Sequence, residues 1–107
     1  MQTLADVFKA LGDDNRLKIL NTLLVRGECC ACVLLSTLEI SQPTLSHHMK
    51  ILCDSGLVLS RRGGKNMHYR VNREVAEQMR KGFSEVLEAL DAIETKEENL
   101  KDASELC

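Results

Sequence analysis

Residues 27–35 read GECCACVLL, which sets three thiols, Cys29, Cys30 and Cys32, into four positions ahead of an apolar run. Three chemistries suit such crowding: packing of small side chains, a disulfide, or thiolate ligation of a soft ion. The remaining cysteines, Cys53 and Cys107, stand apart in the sequence. A total of five is odd, and the clustering argues against a secreted disulfide framework and for reactive or metal-binding thiols. Adjacent Cys29 and Cys30 are awkward partners for a disulfide. The periodicity predicts a helix over roughly residues 29–39. At about 100° per residue, Cys29 and Cys32 then share a face, and Cys30 and Cys32 lie about 200° apart. One ion held by both Cys30 and Cys32 requires the first helical turn to distort.

The elements around the thiols follow from spacing and caps. Leu4, Val7, Phe8 and Leu11 recur at helical intervals and stop at Gly12. A second helix starts at Asp13 or Asp14, with Leu17, Leu20, Leu23 and Leu24 on one face, and stops at Gly27. After the thiol-bearing helix, Ser41 is a natural N-cap and Pro43 falls in the first turn of SQPTLSHHMKILCDSG, where its missing N–H costs little. Leu45, Met49 and Leu52 form the inward face, and Gly56 ends the helix. LVLSRRGGKNMHYRV reads as two strands around Gly63–Gly64, a hairpin with a basic tip. From Arg73 on, Val75, Met79, Val86, Leu90 and Ile93 mark one long amphipathic helix. The order is four helices, a hairpin and a helix, a mostly α winged helix-turn-helix. Residues 1–96 are expected to form the folded domain and residues 97–107 a charged flexible tail.

Charge is uneven. Residues 1–40 carry −1, residues 41–73 carry +5 and residues 74–107 carry −6, for a net −2. A basic middle in an acidic chain points to an anionic partner such as nucleic acid. The helix-turn-helix spans residues 31–55, and its second helix offers Gln42, Thr44, Ser46, His47 and Lys50 to base edges and phosphates of duplex DNA. Arg61, Arg62 and Lys65 on the hairpin suit phosphates or the minor groove. His48 is expected to face the core or another subunit. No stretch reaches the roughly 20 apolar residues of a membrane span, and no signal peptide is evident, so a cytoplasmic location with reduced thiols is expected. No phosphate loop, acid/base pair or Cys–His constellation indicates an enzyme. A protein-interaction module that uses the fold without DNA is the reading from another class.

SQPTLSHHMKILCDSGLV followed by RRGGKNMHYRV resembles the ArsR/SmtB family of metal-responsive repressors over about residues 3–95, the arsenic-responsive branch most closely. The resemblance implies a homodimeric repressor that binds an inverted repeat and dissociates when a metal or metalloid binds. It implies a dimer interface from residues 3–11 and 73–96. It also implies a Glu-x-Cys-x-Cys signature, met here by Glu28, Cys30 and Cys32, with Val33 where an acid usually follows and Leu35 where one arsenic-sensing version has its third cysteine. The third ligand is expected from Cys29, with Cys107, Cys53 or an external thiol as alternatives. Three thiolates suit As(III) or Sb(III) as inducer, and no organic cofactor is expected. Cadmium or lead, and thiol oxidation, are the alternative signals. A second metal site of Asp and His on the last helix is not expected, because no histidine follows His68. Distortion of the thiol helix would tilt the neighbouring DNA-reading helix and lower operator affinity.

Overall fold

The structure, a computed structural model, describes residues 3–104, with side chains through Lys96. The elements are α1 (Leu4–Ala10), α2 (Asp14–Arg26), β1 (Cys29–Cys30), α3 (Ala31–Leu38), α4 (Gln42–Asp54), β2 (Val58–Gly63), β3 (Asn66–Val71) and α5 (Arg73–Ser104). The chain divides into two compact units at Ala76/Glu77, and α5 continues as helix through the segment expected to be a tail, as far as Ser104.

Local chemistry sets the helix ends. Thr3 and Asp6 form a reciprocal capping box on α1. Asp13 caps α2, its Oδ2 accepting from the backbone N–H groups of Asn15 at 2.8 Å and Arg16 at 3.1 Å. The Arg16 N–H is the main reason the Asp13 carboxyl titrates below the ordinary carboxylate range. Gly27 ends α2 at φ 80° and ψ −149°, a conformation that disfavours a side chain. Ser41 caps α4 by accepting from the Thr44 N–H at 3.3 Å, with Pro43 in the first turn.

The core of the first unit is aliphatic, as the scarcity of aromatics requires. Ile19, Leu34, Leu52 and Leu57 are wholly buried, joined by Val7, Leu23, Leu45, Met49 and Val58. The inward face of α4 is the expected Leu45, Met49 and Leu52. On α2 the expected face is corrected. Ile19 and Leu23, one helical turn apart, point inward, whereas Leu17 and Leu24 are 49% and 59% exposed. The helix is apolar on two sides, and periodicity alone does not say which one packs against α3 and α4. Replacing Leu52 with Ala should lower stability by about 2–5 kcal/mol, measured as a reduced urea midpoint at unchanged slope.

The hairpin forms with one adjustment. Gly63 pairs with Asn66, so the turn residues are Gly64 and Lys65, and Gly64 takes φ 67°. The His68 ring lies over Gly63, and a Cβ there would come within 2.7 Å of His68 Cδ2. The wing is also more than a hairpin. β1 pairs antiparallel with β3, giving a three-stranded sheet in the order β1-β3-β2.

Candidate functional site

The thiol segment departs from the helix expected over residues 29–39. Cys29 and Cys30 are extended and belong to the sheet, and α3 begins only at Ala31. Cys30 is the N-cap of α3, at φ −76° and ψ 159°, and its side chain makes no capping hydrogen bond. Its sulfur is joined instead to that of Cys32 in a disulfide, with the Cα atoms 5.2 Å apart. The expected opposition of Cys30 and Cys32 across a regular helix is therefore corrected. Strand pairing takes Cys30 out of the helix, and the two sulfurs meet without unwinding any turn. The awkward Cys29–Cys30 pairing weighed for an oxidised form is replaced by a Cys30–Cys32 pair.

Strand register then sorts the remaining thiols. Cys29 pairs with Tyr69, which pairs with Ser60; Cys30 pairs with His68, which pairs with Arg61. Residues paired across strands share a face, and successive residues on one strand alternate. Cys29, Tyr69 and Ser60 thus form one row, and Cys30, His68 and Arg61 the row on the opposite face. Cys29 is buried, and its thiol lies 3.5 Å from the Gly27 carbonyl as a weak donor. Cys53 hydrogen-bonds with Ser60 of the inner row, and burial pushes its thiol pKa up. In this register neither Cys29 nor the Ser60 partner of Cys53 lies on the Cys30 row of the sheet. Among the described residues no group of three Cys, His, Asp or Glu side chains is placed to hold one ion. Cys107 lies outside the described residues.

On α4, Gln42, Thr44, Ser46, His47 and Lys50 are all exposed on the side away from the core. The Thr44 hydroxyl hydrogen-bonds with Ser41 Oγ at 2.8 Å, and Lys50 Nζ lies 3.0 Å from Asp54 Oδ2. His48 faces the core, 7% exposed, and a network missed from sequence explains its burial. Arg16 Nη1 lies 3.1 Å from His48 Nδ1. The guanidinium only donates, so a hydrogen bond along this contact uses Nδ1 as the acceptor. Asp13 Oδ2 lies 3.8 Å from the same nitrogen, and Arg16 Nε donates to the Ala10 carbonyl. The end of α1, the cap of α2 and the reading helix α4 are thereby pinned together.

On the wing, Arg62 and Lys65 are exposed, and so is Arg61, but Arg61 is already engaged. Its Nε and Nη2 donate to the two carboxylate oxygens of Glu28 at 2.6 and 2.9 Å. This guanidinium holds the Glu28 carboxyl below its ordinary range, with smaller contributions from His68 and Arg70. Sequence separation hid the pair: its members lie 33 residues apart and meet only because β1 joins the wing sheet.

A bundle of short helices carrying a reading helix and a basic wing is an arrangement for duplex DNA. The family model for the arsR family of bacterial regulatory proteins matches residues 13–60. An arsenical resistance operon repressor of Staphylococcus xylosus is 51% identical over 71 residues, covering 66% of this chain and 67% of that protein. A homolog of a cadmium resistance transcriptional regulatory protein, from Staphylococcus aureus, is 40% identical over 75 residues, covering 70% of this chain and 62% of that one. Among solved structures, a homodimeric winged helix-turn-helix DNA-binding domain from Mycobacterium bovis aligns with a TM-score of 0.63 at 32% identity, covering 82% of this chain and 78% of that one. The chain accordingly belongs to the arsR family of bacterial regulatory proteins, as a DNA-binding transcriptional regulator and not an enzyme.

Proposed function

We propose that this chain is an arsenite-responsive repressor, a homodimer that holds an operator inverted repeat and dissociates when As(III) or Sb(III) binds the reduced thiols of Cys30 and Cys32. The observation that carries this reading is the position of that pair. Cys30 ends a strand of the wing sheet and Cys32 lies in the first turn of the helix preceding the reading helix. An ion bridging the two sulfurs ties those elements together and changes how wing and reading helix present themselves to one duplex. Gln42, Thr44, Ser46, His47 and Lys50 read the major groove, while Arg61, Arg62 and Lys65 hold phosphates. Two thiolates leave one position of a trigonal pyramidal metalloid to be filled, by Cys107 or by an external thiol. Residues 1–96 suffice for DNA binding and dimerisation, residues 3–11 and 73–96 make the dimer contact, and the protein works in the cytoplasm, where the pair stays reduced.

The test is a titration of DNA binding with arsenite, on a duplex from the gene's own upstream region under a phosphine reductant. Affinity should fall by about tenfold or more, while absorbance from arsenic–thiolate bonds rises. Affinity that holds constant as that absorbance saturates would refute the coupling. The Cys30–Cys32 disulfide favours a second reading, in which peroxide takes both thiols to the disulfide, releasing two waters, and the oxidised protein leaves DNA. Peroxide without arsenite, reversed by the phosphine, separates the two readings.

A further inference from the structure

The sheet places a carboxylate of the thiol segment directly on a DNA-facing arginine, and this pair has a regulatory consequence. Glu28 lies two residues before Cys30, outside the end of β1. Its two oxygens take both the Nε and Nη2 hydrogens of Arg61, a fork-on-fork arrangement that a phosphate makes equally well. Arg70 adds positive potential at the same carboxylate. Both partners reach solvent, with Arg61 57% and Glu28 32% exposed, so the pair is an exchangeable surface contact and not a buried structural one.

We propose that Glu28 is an internal stand-in for a DNA phosphate, occupying Arg61 in the free protein and yielding it when the operator binds. The proposal rests on the reading of this chain as a thiol-sensing repressor for one further step. An ion bridging Cys30 and Cys32 fixes the backbone beside Glu28 and holds the carboxylate on Arg61, so the inducer withdraws one phosphate contact from each wing. Glu28 is thus a positioning residue that acts through Arg61, and it touches neither DNA nor inducer.

The experiment measures the salt dependence of binding for the full-length chain, Glu28→Gln, Arg61→Ala and the double variant, on the upstream duplex and on a random duplex of equal length. Replacing Glu28 with Gln should raise affinity about two- to fivefold at low salt. It should also steepen the slope of log K against log salt by up to about one per protomer, because in the wild type the carboxylate uncovered when Arg61 moves to a phosphate takes up a cation and offsets one of those the duplex releases. Both changes should appear on the random duplex too, because phosphates carry no sequence. Both should vanish in the Arg61→Ala background. An unchanged slope in Glu28→Gln, or an equal gain with Arg61 absent, overturns the proposal; the latter would mean that general charge removal is responsible. Arsenite-driven release should shrink in Glu28→Gln by the same factor, while arsenic–thiolate absorbance stays at the wild-type level. The slope is read without inducer, so a protein that ignores arsenite would fail the proposed function and still decide the role of Glu28.

Discussion

Cys30→Ser and Cys32→Ser should each abolish arsenite-driven release while leaving operator affinity within about twofold of wild type. The reasoning is geometric. The two sulfurs are within bonding reach across the strand-to-helix junction, and no third ligand among the described residues joins them. Removing either leaves a single thiolate, which cannot bridge the junction. Serine preserves size at both positions, and Cys30 makes no capping hydrogen bond that the fold would miss. Neither side chain belongs to the buried core. Cys29→Ala is the informative contrast. Its sulfur lies on the inner row of the sheet, so release should persist and thermal stability should change instead. Anisotropy titrations of the three variants give the comparison. Full arsenite response in both Cys30→Ser and Cys32→Ser would remove the pair as the sensor.

The second large effect concerns α5. Val86, Leu87, Leu90 and Ile93 fall at helical spacing and are between 47% and 60% exposed. A contiguous exposed apolar stripe of that kind marks an association surface, and a second copy of this chain is the occupant the proposed function requires. Leu87→Glu together with Leu90→Glu should halve the sedimenting mass. Operator affinity should then fall by about 10²-fold or more, because the second half-site is no longer bound at high effective concentration. Far-ultraviolet circular dichroism should stay helical, since neither leucine is in the buried core. A double variant that still sediments as a dimer would move the interface elsewhere.

Much of this was readable from the sequence, for identifiable reasons. Helix ends announce themselves through residues with specific backbone work to do, as Asp13, Gly27 and Ser41 do here. The α4 stripe was legible because only one side of that helix is apolar. Two things were hidden. β1 is two residues long, too short for alternation to register, and its partners Tyr69 and His68 come from the far side of the helix-turn-helix. Local reading therefore extended a helix over Cys29 and Cys30. Every contact that depends on that strand was hidden with it: the sorting of the thiols onto two faces, the placement of His68 opposite Cys30, and the Glu28–Arg61 pair. The polar staple of Arg16, Asp13 and His48 was hidden for a related reason, since Arg16 and His48 are 32 residues apart.

The doublet Cys29–Cys30 straddles a pleat, one sulfur inward and one outward. A slip of a single residue in the pairing of β1 would exchange them, because side chains along a strand alternate. In most proteins such an error drives a polar group into the interior and an apolar one into water. Here both registers present the same atom to each environment.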